Sequence, residues 1–179
     1  LCNKRLAIFG FGRIGKALLR MSRNLFREVL VVSEYSGGEA VRQLGGRKTN
    51  EEDAVAQGDI VVNLLMPKED TIGYFNSEKF SAMKQEVVFI SIGRGNTVNE
   101  HDMIRAFKST PGLYLGLDVL SQEPPDLTVL PFIGSERAII TPHCGFYSKS
   151  SMNSLQIISG RNLANYLMGY KEQVSEIIL

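Results

Sequence analysis

Gly10, Gly12 and Gly15 stand in "IFGFGRIGKALL", after an apolar run and ahead of a helical pattern. In such a turn the first glycine permits a sharp reversal. The second lets backbone approach a pyrophosphate, and the third lets helix pack on strand. The helix that follows would offer free N–H groups and the positive end of its dipole to phosphates. An acid is expected about 20 residues on, at the end of the second strand, and Glu34 closes "VLVVSE". Its carboxylate would accept hydrogen bonds from adenosine ribose hydroxyls and repel a 2′-phosphate. Arg42 and Lys48 follow downstream and leave NADP open beside NAD. Three later stretches carry further chemistry. "SIGRGNTVNE" sets Arg94 between two glycines, "LDVLSQEPP" holds Asp118 and Glu123, and "ITPHCG" holds His143. An Arg, a Glu and a His converging on a bound nicotinamide would make a hydride-transfer site for an oxyanion-bearing substrate. His101 falls in the first turn of an expected helix and is read as exposed. Cys144 adjoins His143, but adjacent side chains on an extended segment point apart, so Cys144 is read as packing.

The elements that must position these residues follow from the apolar pattern. "RLAIF" (5–9), "VLVV" (29–32), "DIVVNLL" (59–65), "VVFISI" (87–92), "LYLGLDV" (113–119) and "RAII" (137–140) do not alternate with polar residues. Strands buried on both faces of a parallel sheet read this way. Helical patterns lie between them, with Ile14, Ala17, Leu18, Met21 and Leu25 at helical spacing in the first. Asn50 and Asn99 are expected N-caps, each with Asp three residues later. A last helix over roughly 148–168 would carry Met152, Leu155, Ile158, Leu163 and Tyr166 on one broad face. The stretch 121–136 contains three prolines and reads as a long loop. Strand–helix alternation predicts an α/β, doubly wound parallel sheet with helices on both faces. Ligands of such sheets bind outside the carboxyl ends of the strands. Arg94, Asp118, Glu123 and His143 all fall at that edge.

The ordered set GxGxxG, GRG, DVxxxEP and TPH resembles the cofactor-binding domain of the D-isomer-specific 2-hydroxyacid dehydrogenases. The resemblance runs through "LAIFGFGRIG", "MPKEDTIGYFNSEKFSAMK", "VVFISIGRGNTVNE", "LGLDVLSQEPP" and "ITPHCGFYS". It implies one dinucleotide-binding domain over 1–179 that works with NAD on a small 2-keto or 2-hydroxy acid. Arg94 would bind substrate, Glu123 would pair with the catalytic histidine, and His143 would be the acid/base. Asp118 would hold the nicotinamide carboxamide. Arg13 and Ile14 would give backbone to the pyrophosphate, and Thr71, Ile92 and Gly93 would line the cofactor. A homodimer is implied as well. The family's substrate-binding domain, built largely from sequence ahead of the first cofactor strand, is absent. "PHCGFYS" is also similar to the C-terminal-binding-protein corepressors, dinucleotide-regulated scaffolds that share the Arg, Glu and His. That alternative stays open beside the enzyme.

Composition narrows the classes. The formal net charge of +1 over 179 residues argues against a nucleic-acid partner. No apolar run nears the roughly 20 residues that span a bilayer, and no secretory signal is visible. Two cysteines make neither a disulfide framework nor a metal set. They suggest a reducing compartment, here the cytoplasm. The first residue is Leu1, which fits a piece of a longer protein.

Overall fold

The computed structural model describes residues 1–174. The chain divides into two compact units, Leu1–His143 and the segment from Cys144 onward.

The first unit is built on strands β1 (Arg5–Phe9), β2 (Glu28–Val32), β3 (Arg47–Lys48), β4 (Ile60–Asn63), β5 (Val87–Ser91), β6 (Leu113–Leu117) and β7 (Ala138–Ile140). All pair in parallel, in the order β3-β2-β1-β4-β5-β6-β7. The six expected strands are present: β1 matches its run, β2 begins one residue earlier, and the other four are shorter than their runs by one to three residues. β3 is additional. Two charged residues carry no apolar signal, and β3 exists only because its backbone pairs with Leu30 and Val31.

Along β1 the side chains alternate between two cores. Leu6 and Ile8 join Val29, Val31, Val62, Leu19 and Val41 on one face. Ala7 and Phe9 join Leu30, Phe75, Phe80, Phe89 and Phe107 on the other. Helices α1 (Arg13–Ser22) and α2 (Gly38–Gln43) cover the first face through Leu19 and Val41. Helices α3 (Glu51–Gln57), α4 (Ser77–Ala82) and α5 (Glu100–Ser109) cover the second. A strand buried on both faces needs apolar residues at every position, which explains the unbroken runs of β1, β2 and β4. β6 and β7 depart from that expectation, with Tyr114 and Ile139 exposed on a part of the sheet that no helix of this unit covers.

Helix starts follow capping chemistry. Asn50 accepts from Asp53 N–H at 2.7 Å and Asn99 from Asp102 N–H at 3.2 Å, as expected. Asn76, which the sequence reading passed over, caps α4 in the same way at 3.1 Å. Helix α1 departs from its expected face. Gly15, Leu19 and Ser22 turn inward, while Ile14 and Met21 are 62% and 77% exposed. Gly15 decides the rotation, because only a residue without Cβ fits against the Gly10 carbonyl.

The second unit holds α6 (Lys149–Leu167), opened by a reciprocal cap between Ser148 and Ser151. The helix matches its expected bounds. Leu155, Ile158, Leu163 and Tyr166 on it are exposed. Cys144 is exposed too, so the expected packing role does not hold. Its short segment lies outside both cores.

Candidate functional site

Because every strand of the sheet runs the same way, the loops that follow the strands gather at one edge. The chain order reverses between β1 and β4, which opens a crevice beyond their ends. The glycine turn follows β1 there. A Cβ on Gly15 would sit 2.3 Å from the Gly10 carbonyl oxygen, so close approach requires glycine. A Cβ on Gly12 would meet nothing within 4 Å. Gly12 is also the N-cap of α1 and brings no side-chain acceptor to the helix's first turn. The turn is therefore an open cradle in front of a helix N-terminus. That combination fits a pyrophosphate, and with it a dinucleotide.

Glu34 follows β2, with its side chain 63% exposed. Lys68, in the loop after β4, stands 3.9 Å from its carboxylate. The basic residues noted downstream are engaged elsewhere. Arg42 pairs with Glu39, and Lys48 donates to the Ser36 carbonyl at 2.8 Å. Thr71 shapes the 66–71 loop. Its hydroxyl donates to the Met66 carbonyl and accepts from Lys68 N–H, both at 2.7 Å.

The loop after β5 carries Ile92, Gly93 and Arg94, and a buried polar network fixes it. Asn63 donates to Ser91 Oγ (3.1 Å) and Thr97 Oγ1 (2.8 Å) and accepts from Leu65 N–H (3.1 Å). Thr97 Oγ1 in turn donates to the Arg94 carbonyl at 2.6 Å. Among the described residues, no buried side-chain nitrogen or oxygen lacks a partner. Sequence reading missed Asn63 and Thr97, whose partnership arises only from strand pairing. The signal available was a lone Asn inside the apolar run 59–65. Arg94 itself is exposed, and its Nη1 donates to the Gly93 carbonyl at 2.8 Å.

Asp118, Glu123 and His143 come together. Asp118 is buried at the end of β6, and its carboxylate accepts from the Thr141 hydroxyl. Its carbonyl accepts from His143 N–H at 2.9 Å. His143 adopts φ +50°, a left-handed conformation uncommon outside glycine. Strained backbone of this kind clusters at functional sites. The Glu123 carboxylate lies 2.7 Å from His143 Nδ1, and its other oxygen accepts from Leu120 N–H at 3.4 Å. The carboxylate is thus held at both ends, and it orients the ring with Nε2 turned away from it. The pair stands at the wall of a cleft of about 520 Å³, shared with Asp118, Thr141 and the apolar Leu127 and Ile133. A carboxylate–imidazole pair so arranged can hold or release a proton at Nε2.

Among the described residues, no group of three His, Cys, Asp or Glu side chains could hold a metal, and no helix is long and apolar enough to cross a membrane.

Comparison with known proteins places these features in context. A family model described as "D-isomer specific 2-hydroxyacid dehydrogenase, NAD binding domain" matches residues 1–145. The chain is 31% identical to hydroxypyruvate reductase of Blautia hydrogenotrophica, across 94% of this chain and 52% of that protein. It is 29% identical to the human glyoxylate reductase/hydroxypyruvate reductase, over 94% and 52%. The structure of D-lactate dehydrogenase with NAD+ from Lactobacillus jensenii superposes with a TM-score of 0.83 at 21% identity, covering 93% of this chain and 53% of that one. The chain spans about half the length of such relatives.

Proposed function

The chain belongs to the NAD-binding domain family of the D-isomer specific 2-hydroxyacid dehydrogenases, and from that premise we propose that it positions NAD(H) for hydride transfer between the cofactor and a small 2-keto or 2-hydroxy acid in the full-length protein. The 2.7 Å pairing of Glu123 with His143, at the sheet edge that also carries the glycine turn, is the observation that carries this reading. When bound, NADH supplies the hydride.

The chain's own residues do the rest. Gly10, Gly12 and Gly15 cradle the pyrophosphate, with the backbone of Arg13 and Ile14. Glu34 takes the adenosine ribose and Asp118 the nicotinamide carboxamide, while Thr71, Ile92 and Gly93 line the cofactor. Arg94 leaves the Gly93 carbonyl to grip the substrate carboxylate with its planar fork. His143, oriented through Nδ1 by Glu123, delivers a proton from Nε2 to the keto oxygen and takes it back in the reverse direction. General acid–base catalysis of this kind contributes about 10²–10⁴-fold.

The test uses the full-length protein with NADH and a panel of glyoxylate, hydroxypyruvate and pyruvate. At least one should be reduced. His143→Gln should lower kcat by about 10²–10⁴-fold while NADH binding stays within about twofold. Absence of turnover on every acid, with NADH still bound, overturns the enzymatic reading in favour of a dinucleotide-regulated scaffold.

We also place the full-length protein in the cytoplasm as a homodimer. Cys2 and Cys144, exposed and outside any disulfide, support the reducing compartment. Sedimentation of the full-length protein checks the dimer.

A further inference from the structure

We propose that Lys68 is a specificity-determining residue, which opens the adenosine end of the cleft to a 2′-phosphate and so lets the chain take NADPH alongside NADH. The inference rests on the reading of the glycine turn as a dinucleotide site.

The argument begins with topology. β2 and β4 flank β1 on either side. Glu34 and Tyr35 follow β2, Lys68 follows β4, and the glycine turn follows β1 between them. Lys68 nevertheless meets both residues of the β2 loop. Its Nζ donates to Tyr35 Oη at 2.6 Å, lies 4.3 Å from the Tyr35 ring centroid and stands 3.9 Å from Glu34 Oε2. The Lys68 side chain therefore bridges the loops on either side of the glycine turn, beside the place where the adenosine of a bound dinucleotide would lie.

Glu34 alone would repel a phosphorylated ribose. With an ammonium beside it, the corner holds one negative and one positive group. An ammonium has three N–H donors. Tyr35 takes one at 2.6 Å and Glu34 stands at ion-pair distance, so the ammonium keeps donors to offer an anion. The Tyr35 hydroxyl, followed by the charges of Glu34 and Asp70, holds the Lys68 amine above the ordinary lysine range. The group is thus cationic throughout the neutral range. Arg42, an obvious basic candidate by sequence, pairs with Glu39 inside α2, and Lys48, the other, reaches from β3 to the Ser36 carbonyl.

The residues accommodate both cofactors by different contacts. Ribose hydroxyls donate to Glu34. A 2′-phosphate, which has no proton to donate when fully ionised, accepts from Lys68. The arrangement gives Lys68 an effect on NADPH that it lacks on NADH.

The experiment titrates the chain, Lys68→Met and Lys68→Arg with NADH and NADPH, following cofactor fluorescence at two salt concentrations. The unmutated chain should bind both. Lys68→Met should weaken NADPH about tenfold, as for loss of a hydrogen bond to a charged partner, and change NADH by less than about twofold. Lys68→Arg should retain NADPH, and added salt should weaken NADPH more than NADH. Equal loss of both cofactors in Lys68→Met would overturn the proposal, because Lys68 would then merely support its loop. Binding of NADH without NADPH by the unmutated chain overturns it as well. Failure to bind either cofactor overturns the dinucleotide reading itself.

Discussion

Replacing Gly12 or Gly15 by alanine separates two things that the glycine turn does. The methyl of Gly15→Ala would enter a space 2.3 Å from the Gly10 carbonyl oxygen. Backbone must shift, and overpacking of this kind costs about 1–3 kcal/mol. Gly12→Ala meets open space at a φ of −76°, which alanine adopts freely. It should melt within a few degrees of the unmutated chain and yet bind NADH at least tenfold more weakly, because its methyl stands where backbone must approach the phosphates. Thermal melts and NADH titration check both, and equal stability of the two variants would contradict the packing argument. At this scale the sequence revealed what short motifs encode. Gly10, Glu34, Arg94, Asp118, Glu123 and His143 could be named because their neighbours give their place relative to a strand end. Lys68 and Asn63 could not. Lys68 meets Tyr35 across 33 residues, and Asn63 meets Thr97 across 34. Such partnerships exist only once strands have chosen their neighbours.

Elements are tied together at the edge of the sheet away from the site. Glu28 at the start of β2 accepts from Arg5 of β1 at 3.1 Å and from Arg47 of β3 at 2.6 Å. One carboxylate thus staples three adjacent strands. The Arg47 hydrogen bond, with lesser help from Arg5, holds the Glu28 carboxyl below its ordinary value of 4.5. A depressed carboxylate stabilises the fold fully above its unfolded pKa, and that contribution is lost as pH falls through the folded value. Glu28→Gln should therefore lower stability by roughly 0.5–1 kcal/mol at neutral pH. The gap between the variant and the unmutated chain should close below the ordinary carboxylate range. Melts at neutral and strongly acidic pH measure it, and a gap that persists in acid would exclude the charge mechanism. Legibility at this scale followed apolar content. The six apolar strands announced themselves, even the edge strand β7 with its exposed Ile139, whereas Arg47–Lys48 did not. The outward stripe on α1, Ile14 and Met21, misled a periodicity argument because the buried face is led by a glycine. Periodicity weighs hydrophobicity, and Gly15 packs by having no side chain.

For the chain as a whole, the proposed roles part binding from turnover. The cradle, Glu34 and Asp118 belong to one unit, so the 179-residue chain alone should bind NADH. Its Glu123 and His143 side chains stand 40% and 39% exposed. Positioning reactants about 3–3.5 Å apart supplies roughly 7–11 kcal/mol of a barrier, and an open face neither holds a small keto acid so firmly nor excludes water from it. Mixed with NADH and glyoxylate, pyruvate or hydroxypyruvate, the chain should turn over below about 1 s⁻¹, the low end of typical enzymes. Faster NADH loss would show that this half of the protein suffices. The same sheet has a consequence at its margins. Its outermost strands are two residues, Arg47–Lys48, and three residues, Ala138–Ile140. A long bare margin invites neighbouring molecules to extend the ladder into fibrils, and shortness together with charge blocks that growth. Here a foreign strand would find a guanidinium and an ammonium on one side and only three residues of extended backbone on the other. The sheet terminates itself, because neither margin offers a ladder long enough to template the addition of further strands.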